Sequence, residues 1–384
     1  MEKQGKKQSY NRSYNNGLVI NHLRDRGSAS ATELSAALGL SNAAMSSILK
    51  QLSAKGLIKV ERRISVNGKG RCQVEYALNE DYGLVVCVGL ANYQCVIALS
   101  GLTSEISQSV TIDVPKYDNA AITQIVLEVT KILMVEKTRK IPLRNIVISF
   151  PGRVTSEGVP TMSAQFDAEI FQTAHPILDA FANQFPSIPV YLANDINLSM
   201  IAEMEKGTIV QDKNAMLISI DSGIGGAFCI INKLFEGDQG YAGEFGRMHV
   251  EQDGRYAALD EFISFRALAK EASLTAGHPI HKAELVTYFH TNETFRQTVL
   301  NGAKTLGKLL SDIIELMDIS TVVLSGGVVG FGPEYLAAVK EPLSGLPFPV
   351  TVEYSTLGNS GIIIGGISAG VKYILKKSTG RGDK

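Results

Sequence analysis

The sequence predicts an α/β protein with a small N-terminal head of helices and one hairpin in front of a larger body. Three observations point there. First, charge is split. Residues 1–80 hold thirteen Lys and Arg against six Asp and Glu, a net +7, and the remainder holds 24 against 32, a net −8. Second, the head carries helical apolar stripes punctuated by caps and glycines, whereas from Asp81 strand-like runs alternate with helical ones. Third, 36 glycines against 12 prolines suit a chain with many strand-to-loop turns, and 45% hydrophobic residues in 384 are enough for two or three cores.

Residues 1–13 are polar and read as disordered. A helix can start near Tyr14 and place Leu18, Val19 and Leu23 on one side, stopping by Gly27. Ser30-Ala-Thr-Glu33 is a capping box, in which Ser30 accepts from the Glu33 N–H and Glu33 reaches back. The short helix Thr32–Leu38 then buries Leu34 and Leu38 and ends at Gly39, the usual left-handed stop. Ser41 caps a further helix with Ala44, Met45, Ile48, Leu49 and Leu52 as its buried stripe. Asn42, Ser46, Ser47 and Lys50 are left facing outward. Leu57–Ile64 and Cys72–Leu78 read as strands around a basic, glycine-rich hairpin, Asn67-Gly-Lys-Gly-Arg71.

This order is that of a winged helix-turn-helix, whose second helix of the turn enters a major groove. Small polar residues on that helix permit close approach to base edges: Asn42 suits adenine and Lys50 a phosphate. Lys69 and Arg71 at the hairpin tip suit the minor groove or the backbone. Double-stranded DNA is therefore the expected partner of residues 1–80, the alternative being a protein-interaction module.

In the body, Leu84–Leu90 and Gln94–Leu99 are strand candidates, Ala120–Lys137 is helical, and Ile146–Phe150 runs into Pro151-Gly152. Helix Ile177–Phe185 precedes strand Val190–Ala193, which ends at Asn194-Asp195. Strand Met216–Ile220 leads to Asp221-Ser-Gly-Ile-Gly-Gly226 and strand Ala227–Ile231, and strand Val322–Leu324 ends at Ser325-Gly-Gly327. Ligands of open α/β sheets bind beyond the carboxyl ends of strands, where these three turns fall. Cys72, Cys87, Cys95 and Cys229 show no metal-site spacing and read as reduced core thiols. No apolar run is long enough to span a membrane and no leader is evident, so the expected location is the cytoplasm.

The ordered blocks winged helix, Pro151-Gly152, Leu192-Ala-Asn-Asp195, Gly223-Ile-Gly-Gly226, Tyr241-Ala-Gly-Glu-Phe-Gly246 and Ser325-Gly-Gly327 resemble the ROK family of repressors and sugar kinases, in particular its repressor branch. The resemblance covers the chain from about Tyr10. It implies a two-lobed, actin-like, sugar-kinase-like ATPase body with a sugar between the lobes, divided at 81–195 and 196–384. It also implies a homodimer or dimer of dimers on a palindromic operator.

Two departures matter. The family's Asp-x-Gly-Gly-Thr loop for ATP phosphates and metal is Gly89-Leu-Ala-Asn-Tyr93 here, without carboxylate or small hydroxyl. Phosphoryl transfer depends on neutralising and positioning charge, so the resemblance with this loss implies no enzyme, although the family's base position survives as Asp195. The family's zinc loop has lost its three cysteines, and Arg247 stands where a histidine ligand is usual. Arginine cannot ligate zinc, so no metal or other cofactor is expected; His249 alone does not make a site.

By resemblance the sugar-contact positions are Gln165, Asn194, Asp195, Glu244 and Asp260. Alternatives stay open: Asn194 as an Asx turn starting the next helix, and Glu244 as a tie to nearby backbone. Asp260 replaces a longer Glu beside a deleted loop. His175 has no counterpart. Arg247 either staples the shortened loop by pairing with Asp260 or Glu244, or forks onto the carboxylate or phosphate of a ligand. The function expected is a sugar-controlled repressor. The competing functions are a sugar kinase with an added DNA-binding domain, and a regulator whose body is a ligand-free scaffold.

Overall fold

The computed structural model describes residues 5–64, 73–91, 93–135, 140–161, 163, 165–172, 176–209 and 214–379. By contacts the chain forms two units, Met1–Ser149 with Ala164–Leu192 and Gly366–Lys384, and Phe150–Ser163 with Ala193–Gly365. This differs from the expected breaks at 80 and 195: the winged helix groups with the first unit, and so does the chain from Gly366, because the last helix belongs to both.

The chain begins with α1 (Gly5–Arg26), β1 (Ser28–Ser30), α2 (Ala31–Leu38), α3 (Asn42–Ala54), β2 (Ile58–Ile64) and β3 (Gln73–Leu78). Helix α1 starts well before Tyr14, correcting the expectation of disorder. Its Lys, Gln and Arg are good helix formers, and no Pro or Gly interrupts residues 6–16. Val19, Ile20 and Leu23 are its buried residues, packed in the head's core. The capping box forms as expected: Ser30 Oγ accepts from Glu33 N at 3.3 Å, and Ser30 N donates to Glu33 Oε2 at 2.7 Å. Gly39 takes a left-handed φ of 64°, and Ser41 Oγ accepts from Ala44 N at 3.3 Å to start α3. The strands order as β1-β3-β2, all antiparallel, and β1 is an addition that three residues of sequence do not announce. The hairpin tip with Lys69 and Arg71 lies outside the described residues.

Next come β4 (Leu84–Ala91), β5 (Gln94–Ser100), β6 (Ile106–Asp113), α4 (Asn119–Leu133), β7 (Leu143–Phe150), α5 (Pro176–Gln184) and β8 (Val190–Asn194). Their sheet has the order β6-β5-β4-β7-β8, with β4 to β6 antiparallel and β4 parallel to β7. Ala91 pairs with Gln94, and Tyr93 before it adopts φ 61° and is exposed.

The rest is α6 (Asp195–Lys206), β9 (Ala215–Ile220), β10 (Ile224–Ile230), β11 (Lys233–Phe235), β12 (His249–Gln252), β13 (Arg255–Ala258), α7 (Asp260–Ile263), α8 (Phe265–Ala276), α9 (Leu285–Thr291), α10 (Glu293–Met317), β14 (Thr321–Gly326), α11 (Gly332–Lys340), β15 (Thr351–Tyr354) and α12 (Ser360–Thr379). The second sheet, β11-β10-β9-β14-β15, repeats the first: an antiparallel meander, then parallel neighbours. Helix α10 fills its core, with Leu306, Leu310 and Ile314 fully buried. In the first unit, α12 meets the rim of the head: Lys55 Nζ donates to the Ser378 carbonyl at 2.5 Å, and Tyr82 Oη lies 2.7 Å from Ser378 Oγ. Among the described residues no helix is long and apolar enough to cross a membrane.

Ser30→Ala removes the acceptor that starts α2. We expect a loss of ~1 kcal/mol in the head, read as weakened hydrogen-exchange protection of the α2 amides.

Candidate functional site

Two surfaces carry chemistry. On the head, Ser41, Asn42, Ser46, Ser47 and Lys50 are all exposed, while Met45, Ile48, Leu49 and Leu52 pin the opposite face of α3. A further cation, Arg62, has no motif in the sequence to mark it. Arg62 on β2 forks onto Glu75 of β3, Nε to Oε2 at 2.7 Å and Nη2 to Oε1 at 3.2 Å, and Ser28 Oγ donates to the same carboxylate at 3.0 Å. The guanidinium and this hydroxyl hold the Glu75 carboxyl below its usual range. Arg62 stays 64% exposed, a pre-positioned cation at the base of the wing.

In the second unit the predicted blocks converge. Asn194 is the N-cap of α6: its Oδ1 accepts from Ile196 N and Asn197 N, both at 2.9 Å, and its Nδ2 donates to the Gly152 carbonyl at 2.8 Å. Its side chain is thus the helix-starting turn, with one amide hydrogen left over. Asp195 follows as the first residue of α6. It is half-buried, and its Oδ1 accepts from Ile196 N at 3.0 Å. Burial pushes its carboxyl up to about 7, against the lowering by backbone N–H groups.

The Gly223–Gly226 turn and the Gly243–Gly246 turn interlock. Gly243 has φ 92°, and a Cβ there would collide with the Gly226 carbonyl; a Cβ on Gly226 would collide with the Phe245 ring. This packing presents Glu244, whose Oε2 lies 3.1 Å from Nε of Arg153, the residue after Gly152. The Arg153 guanidinium also sits over the Tyr241 ring, 5.2 Å from its centroid.

Asp260 accepts from Ile224 N at 3.0 Å and pairs with Arg266. Burial raises its carboxyl, and Arg266 opposes that. Both expected staples are therefore corrected: Arg153 holds Glu244, Arg266 holds Asp260, and Arg247 is exposed with no ion pair among the described residues. The short β12–β13 hairpin buries Val250 and Ala257 and starts two residues after Arg247, which is exposed. Gln165 belongs to the first unit, where Tyr117 N donates to its carbonyl at 3.4 Å and its buried Oε1 has no partner among the described residues. His175 lies outside the described residues.

The segment does not fit a zinc ion. Its one histidine, His249, packs tilted against Tyr256, and no described group of three His, Cys, Asp or Glu suits a metal. At the end of β9, Asp221 is ion-paired with Lys282, whose Nζ also donates to Ser222 Oγ at 3.1 Å. Cys87, Cys95 and Cys229 are buried free thiols, and burial pushes the Cys95 thiol up to about 12.

The Asp195 carboxyl is raised from 3.8 to about 7 in the folded chain, so between these values the folded state holds a proton that the unfolded state has lost. Stability from this group is present in acid and declines as pH rises through that window. Asp195→Asn should therefore match the parent near pH 4 and exceed its melting temperature increasingly up to pH 7, levelling above. A constant difference across pH contradicts the assignment.

The chain matches the ROK family over residues 85–360 and the MarR family over residues 12–65. It is 22% identical to the xylose repressor of Caldicellulosiruptor bescii, over 93% of this chain and 95% of that one. Among solved structures it resembles a ROK family transcriptional regulator described as a homologue of the E. coli MLC protein, with a TM-score of 0.78 and 18% identity over 97% of this chain and 99% of that one. It also resembles a ROK hexokinase from Thermus thermophilus, with a TM-score of 0.63 and 22% identity over 77% of this chain and 99% of that one. The ROK match spans well over half of the chain and takes in every glycine turn just described, so this protein belongs to the ROK family.

Proposed function

We propose that the protein is a sugar-responsive transcriptional repressor, a cytoplasmic homodimer whose residues 1–80 bind a palindromic operator. In this reading the ROK body binds a sugar or sugar derivative through Asp195, Glu244 and their neighbours. The observation that carries it is the exposed polar face of a capped helix, Asn42 to Lys50, on a head of net +7 joined to a ROK body. Phosphate neutralisation supplies affinity and small polar side chains near base edges supply sequence preference. The full-length likeness to a xylose repressor supports carbohydrate as the signal.

The protein acts without phosphoryl transfer. The stretch Gly89-Leu-Ala-Asn-Tyr93 lacks the carboxylate and the paired glycines of a phosphate-cradling loop, and Gly89 to Ala91 are paired strand residues.

Two outcomes test this. Lys50→Ala should weaken binding to all DNA and lower the salt slope by about 0.9, the value of one neutralised phosphate. Asn42→Ala should instead relax preference at one base step, worth ~1–3 kcal/mol. Equal affinity and slope in Lys50→Ala would take α3 out of the interface. In a turnover assay across a sugar panel, the pure protein should hydrolyse no ATP; sugar-dependent hydrolysis that disappears in Asp195→Asn would establish the kinase instead.

A further inference from the structure

We propose that Arg153 is a ligand-recognition residue that selects a sugar bearing an oxyanion, a carboxylate or a phosphate, over the neutral sugar. The inference deepens the reading above and rests on it.

The backbone at this arginine is fixed on several sides. Asn194 Nδ2 donates to the carbonyl of Gly152, Ser163 Oγ donates to that of Pro151 at 2.7 Å, and Thr161 N donates to that of Arg153 itself at 2.9 Å. The side chain is fixed as well. Nε faces Glu244 at 3.1 Å, and the guanidinium plane lies over Tyr241. A guanidinium has five N–H donors in a rigid fork, and here Nε meets Glu244 as an ion pair. Among the described residues neither Nη group has an acceptor, although the side chain is only 28% exposed. Partly desolvated Nη donors with no acceptor among the described residues suit a two-oxygen anion. Arginine is the side chain whose geometry matches carboxylate or phosphate by two parallel bonds.

The local charge agrees. Glu244 is matched by Arg153, so this pair leaves no uncompensated carboxylate to repel an anion. A neutral sugar gains nothing from the guanidinium charge. An anionic sugar does, and Arg153 is held by Glu244 and Tyr241 before it arrives, which lowers the ordering cost of binding.

A simpler role for the pair is to staple the 241–244 turn, and binding measurements on the full chain separate the two. The probes are glucose, xylose, glucuronate, xylonate and glucose 6-phosphate, titrated against the parent, Arg153→Met and Arg153→Lys. The parent should bind one of the anionic sugars at least about tenfold more tightly than its neutral counterpart. Arg153→Met should lose that preference and keep neutral-sugar affinity within about threefold. Arg153→Lys should retain part of a phosphate preference, since a point charge suffices for it, but lose a carboxylate preference that depends on the fork. A parent that binds neutral sugars as well as anionic ones overturns the role of Arg153 and leaves a sugar sensor standing. So does Arg153→Met that lowers the melting temperature while its anion preference persists. A parent that binds none of the five overturns the role together with the reading on which it rests.

Discussion

The side-chain amide of Asn194 holds the candidate site together. Its oxygen satisfies two N–H groups that the first turn of α6 would otherwise leave unpaired, and its nitrogen ties the carbonyl of Gly152, forty-two residues earlier in the chain. One group therefore starts the helix that presents Asp195 and fixes the turn from which Arg153 extends. The loop carrying Tyr241 and Glu244 is brought to the same place by a different constraint, the absence of side chains at Gly226 and Gly243, which lets two backbones approach within the space a Cβ would fill. Loss of either constraint would leave the individual residues intact and scatter the groups that act together.

Much of the architecture is legible in the sequence because it is local. Ser30 with Glu33, Ser41 with Ala44 and Gly39 are relations across three or four residues, and their geometry follows from residue type. The glycine turns fall at strand ends, where an open sheet leaves room for a ligand. What escapes depends on distance in the chain. The Arg153–Glu244 pair joins residues 91 positions apart, and no periodicity announces it. Strand β6 escapes because its residues, Ile106-Ser-Gln-Ser-Val-Thr-Ile-Asp113, are half exposed at a sheet edge and lack an apolar run. For Arg247, closeness in sequence to Glu244 and Asp260 suggests a carboxylate partner. Each of those carboxylates already has an arginine, and Arg247 is left exposed.

Asn194 shows a different limit. Its two readings, helix cap and sugar ligand, are both open from sequence, because an Asn at a strand-to-helix junction suits either. The structure shows the cap formed, with both Asn194 side-chain atoms on backbone groups and one amide hydrogen left for anything else. In the proposed reading the polar work toward a ligand falls to Asp195 and to the pair beyond Gly152. Asp195 is suited to it by its environment: a carboxyl whose proton is held to about pH 7 can donate to a hydroxyl or accept from one within the physiological range.

The Asp260–Arg266 and Arg153–Glu244 pairs differ in what they contribute, and the difference bears on the proposed site. Asp260 also receives the N–H of Ile224, so its carboxylate is tied to the start of β10 independently of Arg266, which is itself 68% exposed. The Arg153–Glu244 pair has no such backbone bond. Both partners are partly exposed, at 28% and 38%, and an ion pair of that exposure adds only ~0–1 kcal/mol to stability. An interaction this weak is easily shared: an incoming anion can take the free face of the guanidinium, or displace Glu244 from it, at small cost to the fold. A strong pair would resist that exchange. Under the proposed role, the weakness of the pair in the free protein lets an anion exchange with Glu244, and the backbone supports of Arg153 keep its fork in place.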